Sequence, residues 1–209
     1  MNIFETNNLS RIKIQSFNGS KIYMMDNFYK HPQKILDLIK RNEPFYHKGD
    51  LKPSYNGIYF QDLRHNIEVD GIKELGNELG SMCGQQFLPQ NLYTNVLRFF
   101  KSPFNDYINN YWFPHLDPGY TAMIFLNKVS YNSTNLYEVI SADDNIVNEH
   151  FTPWRPKKHY KVVKTLRSKY NRMIMFEGDK FFHSMCVEND LFFGTKYRLN
   201  QALFFKNES

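Results

Sequence analysis

The chain has 209 residues, 42% of them hydrophobic and 22% charged, and a net charge of +5. A domain of this size buries roughly 70% of its unfolded surface, so a core forms without staples, and the composition excludes a largely disordered chain. No uncharged apolar run approaches the ~18 residues of a membrane-crossing helix, and residues 1–10 lack a basic-then-apolar leader, so a cytoplasmic protein with no membrane partner is expected.

Aromatic residues reach 17%, Asn occurs 23 times and Ala only three times. That balance favours sheet over helix, because Ala is the best helix former, Asn is a poor one, and aromatic side chains suit a pleated surface. Cys83 and Cys186 are the only cysteines. They show no Cys-x-x-Cys spacing and read as two reduced thiols.

In chain order, residues 11–24 predict a hairpin around Asn18-Gly19, a dipeptide that fits a two-residue turn. Pro32 suits a first helical turn, and Ile35, Leu36, Leu38 and Ile39 give a helical stripe ending near Arg41. Residues 43–63 read as irregular. A second helix is expected over 69–82, with Ile72, Leu75, Leu79 and Met82 on one side. From Leu92 onward short apolar segments alternate with turns: 92–100, 111–117, 120–127, 135–140, 171–185 around a Gly178-Asp179 turn, and 196–205. Such spacing signals a sandwich or barrel. Trp112 and Trp154 read as packing residues.

Residues 155–172 hold eight Lys or Arg and no acid. Val162, Val163, Leu166 and Tyr170 recur at helical spacing, so an amphipathic helix lying over the barrel is expected, its cations facing solvent rather than nucleic acid. With no internal repeat and no low-complexity linker, the chain reads as one α+β domain over 1–209. Strands and helices over 1–90 pack on a jelly-roll, or double-stranded β-helix, over 91–209.

His115 and Asp117 lie two residues apart in an expected strand, so both side chains point to one face. His183 follows the Gly178-Asp179 turn, where a strand enters the barrel. Two histidines and one carboxylate form a facial triad suited to Fe(II) that activates O2. Arg198 lies 15 residues beyond His183 on the closing strand. Its guanidinium fork matches a carboxylate, and Asn200 shares its face by strand alternation. Lys196 shares that face too.

Residues from about 20 to 205 resemble an Fe(II)/2-oxoglutarate-dependent dioxygenase of the prolyl-hydroxylase-like branch, which includes small phage and bacterial members. Four segments carry the resemblance: 96–100 (VLRFF), 112–120 (WFPHLDPGY), 171–185 (NRMIMFEGDKFFHSM) and 197–205 (YRLNQALFF). The resemblance implies that His115, Asp117 and His183 hold the iron and that Arg198 binds the distal carboxylate of the cosubstrate 2-oxoglutarate, with Asn200 a second hydrogen-bonding partner for it and Lys196, a point charge without a fork, the weaker alternative anchor. It also implies hydroxylation of a C–H bond in a peptide or small molecule, with release of succinate and CO2. A carboxylate at Asp117 favours hydroxylation over halogenation, since related halogenases carry a small residue there. Phe99 stands where members often carry a Tyr that donates to the cosubstrate, and Asn95, four residues earlier on the same face, is a partial replacement. Nucleobase-modifying members typically show a second Arg six residues after the first. That position is Phe204 here, which weighs against a nucleic-acid substrate. A jelly-roll binding or structural module without catalysis is the remaining alternative.

Overall fold

A computed structural model of the chain describes residues 2–41, 70–82, 87–97, 106–131, 133–141, 154–193 and 196–207. Strands β1 (Lys13–Phe17) and β2 (Ser20–Met25) form the expected hairpin, with Phe17 opposite Ser20. Asn18 and Gly19 make the turn at φ 47° and 77°, the left-handed backbone that a type I′ turn demands. Helix α1 (Pro32–Arg41) occupies the expected span. Pro32 gives up no hydrogen bond at a helix start, Ile35 and Ile39 share the buried face, and Lys40 and Arg41 complement the negative helix end. Helix α2 (Asp70–Met82) buries Leu75 and Leu79. The side chain of Ile72 lies outside the described residues, as do Cys83 and all of 43–63.

The rest is strand: β3 (Phe87–Leu97), β4 (Asn110–Trp112), β5 (Tyr120–Phe125), β6 (Thr134–Val139), β7 (Trp154–Pro156), β8 (Tyr160–Leu166), β9 (Arg172–Glu177), β10 (Phe182–Met185) and β11 (Arg198–Asn207). They pair antiparallel into a six-stranded sheet of order β1-β2-β9-β5-β11-β3, a three-stranded sheet β10-β6-β8 and the pair β4-β7. The architecture is α+β and mostly β, as the composition predicts. None of the described helices is long and apolar enough to cross a membrane.

Strand alternation divides the core. On one face of the large sheet Ala122, Ile124, Met173, Met175, Leu203 and Phe205 pack against Ile35, Ile39, Leu75 and Leu79 of the helices. On its other face Met123, Phe125, Ile174 and Phe176 pack against Leu136 and Leu166 of the small sheet. The central strands are therefore buried on both faces, which is why 120–127 reads as a continuous apolar run rather than an alternating one. Each fully buried Leu, Ile, Phe or Met contributes about 1.5–3 kcal/mol by area removed from water. Asn171 clasps the N-terminal segment to this core. At φ 57°, its side chain accepts from the Tyr29 amide (3.0 Å) and donates to the Tyr29 carbonyl (2.8 Å).

Two expectations are corrected. Residues 155–172 do not form a helix: they contribute to β7, a single 3-10 turn (Lys157–His159), β8 and the start of β9. Tyr160, Val162, Val163 and Thr165 are aromatic or β-branched, and such side chains favour a pleated strand over a helix. Among the described strands β8 pairs with β6 alone, and Lys161 and Lys164 on this edge oppose sheet-to-sheet aggregation. Lys164 covers the Phe17 ring at 4.8 Å and Lys157 the Tyr111 ring at 5.3 Å. The strand expected over 111–117 stops at Trp112, because Phe113 is left-handed at φ 41° and Pro114 has no N–H to donate.

Candidate metal centre

The break after β4 turns the chain toward β10. His115 and His183 are direct antiparallel partners, joined by main-chain bonds from the His115 amide to the His183 carbonyl (3.1 Å) and back (2.8 Å). Cross-strand partners place their side chains on the same face, and the two imidazole centroids are 4.6 Å apart. Asp117 is fixed by a second set of main-chain bonds. Its amide donates to the Gly178 carbonyl (3.0 Å), and the Gly178 amide donates to the Gly119 carbonyl (2.7 Å). The turn after β9 therefore carries the carboxylate up to the imidazoles.

The ligand atoms of His115, Asp117 and His183 all lie within 4.8 Å of one another. His183 Nε2 is 3.0 Å from Asp117 Oδ2, and His115 Nε2 is 3.7 Å from Asp117 Oδ1. Two ligands about 2.1 Å from one octahedral ion stand roughly 3 Å apart, so this spacing fits adjacent positions on one cation. His183 is buried, whereas His115 and Asp117 are half-buried, which leaves the centre open on one side.

Hydrogen bonding settles the imidazole chemistry. His115 Nδ1 lies 2.8 Å from the Phe113 carbonyl and His183 Nδ1 lies 2.9 Å from the Phe181 carbonyl. A carbonyl only accepts, so each Nδ1 carries the proton, and in the neutral ring each Nε2 is left as a lone pair. Both lone pairs and the Asp117 carboxylate then converge with no proton between them. Such a set needs a cation, either a proton on an imidazole or a shared metal ion, and an Nδ1–H bound to a carbonyl is the usual support of a ligating histidine. Burial raises the Asp117 carboxyl, but with the proton on the imidazoles the His183 Nε2–H bond to Oδ2 at 3.0 Å, the charge of both rings and the Thr121 hydroxyl outweigh it. The group sits below the ordinary aspartate range and is a carboxylate at neutral pH.

Three supporting residues escaped the sequence reading. Thr121 Oγ1 donates to Asp117 Oδ2 at 3.2 Å, the Phe176 ring meets His183 edge-on at 4.9 Å, and Gly178 leaves room for Asp117. A Cβ at Gly178 would lie 2.5 Å from Thr121 Oγ1 and 3.0 Å from both Cβ and the carbonyl oxygen of Asp117. The Gly-Asp dipeptide signals a turn but not this close approach. Gly178→Ala is expected to displace the carboxylate and weaken divalent-metal affinity about tenfold or more, the scale for residues that orient ligands, with the far-UV circular dichroism retained. Wild-type affinity in a metal titration would show that Gly178 does not set the Asp117 position.

Arg198 and Asn200 lie on β11, where Asn200 is the cross-strand partner of Phe125 on the face toward the small sheet. Leu136, partner of His183, lies in the same core, so the triad and Arg198 share the interior between the sheets. Arg198 is 5% exposed. Its NH1 donates to Asn200 Oδ1 at 3.1 Å, its Nε finds no partner among the described residues, and none of their carboxylates pairs with it. Burial lowers the guanidinium to about 10, so it remains charged at neutral pH. Lys196 is exposed, which removes it as an interior anchor. Asn95 is the β3 partner of Asn200, but its side chain and all of Phe99 lie outside the described residues. Trp112 packs with Trp154 and Phe193, as expected of packing residues.

The chain matches no protein-family model and no curated protein sequence.

Proposed function

We propose that the chain is an Fe(II)- and 2-oxoglutarate-dependent hydroxylase of a prolyl or other amino-acid side chain, built on a double-stranded β-helix. One observation carries this reading. A two-histidine, one-carboxylate ligand set shares an interior with a buried guanidinium that has no anionic partner among the described residues. Leaving one charge buried and unpaired costs several kcal/mol, and a cosubstrate carboxylate supplies the missing partner. The placement also supports the fold: the ligands gather at the end of the small sheet while the cation comes from the facing large one.

The iron, when bound, supplies O2 activation through the coordination positions that three protein ligands leave open. The chain's own residues do the rest. His115, Asp117 and His183 present two neutral imidazoles and one carboxylate, a set that suits a divalent ion. Thr121 and the carbonyls of Phe113 and Phe181 hold those ligands in orientation. Arg198, braced by Asn200, would take the far carboxylate of 2-oxoglutarate in a two-bond fork, which leaves its keto-acid end to face the ligands. Substrate would enter on the side where His115 and Asp117 are only half-buried. Phe204 at the place of a second Arg favours a peptide or small-molecule substrate over a nucleobase.

The test is anaerobic titration of metal-free protein with Fe(II) and 2-oxoglutarate, followed by a succinate-release screen over proline, peptides, other amino acids and methylated oligonucleotides. A visible charge-transfer band that needs both additions, and succinate release with an amino-acid substrate, are expected. Absence of the band would favour a binding module, and release only with oligonucleotides would move the substrate class to nucleobases.

A further inference from the structure

Four non-glycine residues among those described have positive φ: Asn18, Asn27, Phe113 and Asn171. Asparagine tolerates the left-handed region, because its short polar side chain bonds locally. A bulky aromatic residue there is a genuine outlier, and Phe113 also precedes a proline, which normally forces an extended backbone. Strain of this kind persists only where the surroundings over-determine it, and it gathers at functional sites.

The surroundings of Phe113 do over-determine it. Its ring is buried in a cluster with Trp112, Met185, Phe192 and Phe193. The guanidinium of buried Arg155 lies over that ring at 5.6 Å. The ring also covers the His115 imidazole, with centroids 4.9 Å apart and planes inclined by 32°. With the backbone left-handed, the Phe113 carbonyl meets His115 Nδ1 at 2.8 Å. His183 receives the equivalent carbonyl from Phe181, also two residues earlier, at a residue that is not among those of positive φ.

We infer that Phe113 is a positioning residue for the metal centre. Its strained backbone, clamped by the buried ring, fixes His115 as the Nδ1–H tautomer and aims Nε2 at Asp117 before any ion arrives. The inference rests on reading His115 as a metal ligand. The backbone is the active part and the ring is the clamp, so residues that adopt positive φ without a clamp should preserve the site.

The experiment compares Phe113→Asn, Phe113→Gly, Phe113→Leu and Phe113→Val with the wild type. The His115 tautomer is read in metal-free protein by 15N-imidazole NMR at alkaline pH, and Co(II) affinity is read by titration. Thermal unfolding confirms that each variant folds. Asn and Gly are expected to keep the Nδ1–H tautomer and near-wild-type Co(II) binding. Val, β-branched and averse to positive φ, is expected to lose the tautomer and bind Co(II) about tenfold or more weakly, with Leu between. A pure packing role predicts the opposite order, with Leu and Val best and Gly and Asn worst, and that order would overturn the proposal. A wild type that shows the tautomer but takes up no Co(II) would remove the metal-centre reading, and the tautomer series would still decide the role of Phe113.

Discussion

Alanine at any one of His115, Asp117 or His183 is expected to abolish iron-dependent turnover while the fold survives. The fold survives because the main chain, not the side chains, joins these segments: the His115–His183 bridge and the Asp117–Gly178 bond are made by amides and carbonyls, which alanine retains. Turnover is lost because no neighbour among the described residues is placed to replace a ligand. Among the described residues no other group of three or more His, Cys, Asp or Glu is placed to hold an ion. Residues that merely orient ligands cost about 10–100-fold in metal affinity when changed, so removal of a ligand should cost more than about a hundredfold. The three single variants should be nearly equal in their loss, and a double variant little worse, because groups that act as a unit are not additive. Metal titration and 2-oxoglutarate decarboxylation read both effects. A purified variant that decarboxylates at the wild-type rate would sink the assignment of that residue.

How much of this was legible in the sequence depended on how local the signal was. The Asn18-Gly19 turn and the start of α1 at Pro32 carry their cause in one or two residues, and both elements fall where expected. The three residues of the centre were named from a His-x-Asp spacing, one distant histidine and a family resemblance, although the strand expected under His115 and Asp117 stops at Trp112 and main-chain bonds to His183 and Gly178 place them instead. Residues 155–172 misled because Val162, Val163, Leu166 and Tyr170 satisfy a helical period by number alone. The adjacent Val162 and Val163 are both half-buried on β8, so this edge strand lacks clean alternation, and the opposing strand shifts register between Leu136 and Tyr137. Bulges and edges of this kind depend on the partner strand, which no local pattern contains. Thr121, Gly178 and Phe113 were invisible for the same reason. Each acts through a contact made by folding, and in Phe113 the sequence even argues against the backbone that the fold imposes.

Arg198 carries the second large expected effect, and it has two parts of opposite sign. Replacement by Met removes the charge and keeps much of the length, so on the proposed function 2-oxoglutarate would lose a buried two-bond partner. Losing one member of such a pair costs roughly 2–5 kcal/mol, that is, from about thirtyfold to more than a thousandfold in Kd at 1.4 kcal/mol per tenfold. Arg198→Lys keeps the charge without the fork and should fall between the two. Cosubstrate-free stability should move the other way. In the described structure the guanidinium is buried, braced only by Asn200 Oδ1, with its Nε unpartnered, and an apolar side chain of similar volume in place of buried charge is often neutral or stabilising. Arg198→Met is therefore expected to unfold no earlier than the wild type without 2-oxoglutarate. With the cosubstrate at about a hundred times its wild-type Kd, the wild type gains about 2.7 kcal/mol by linkage and a higher Tm, and Arg198→Met gains about 0.9 kcal/mol or less. Iron affinity should be unchanged in both variants, since none of the three ligands touches this side chain among the described contacts. A variant that binds 2-oxoglutarate as tightly as the wild type would take the anchor away from Arg198. A variant that unfolds well before the wild type without cosubstrate would instead show that the guanidinium is structural, holding the closing strand rather than waiting for an anion.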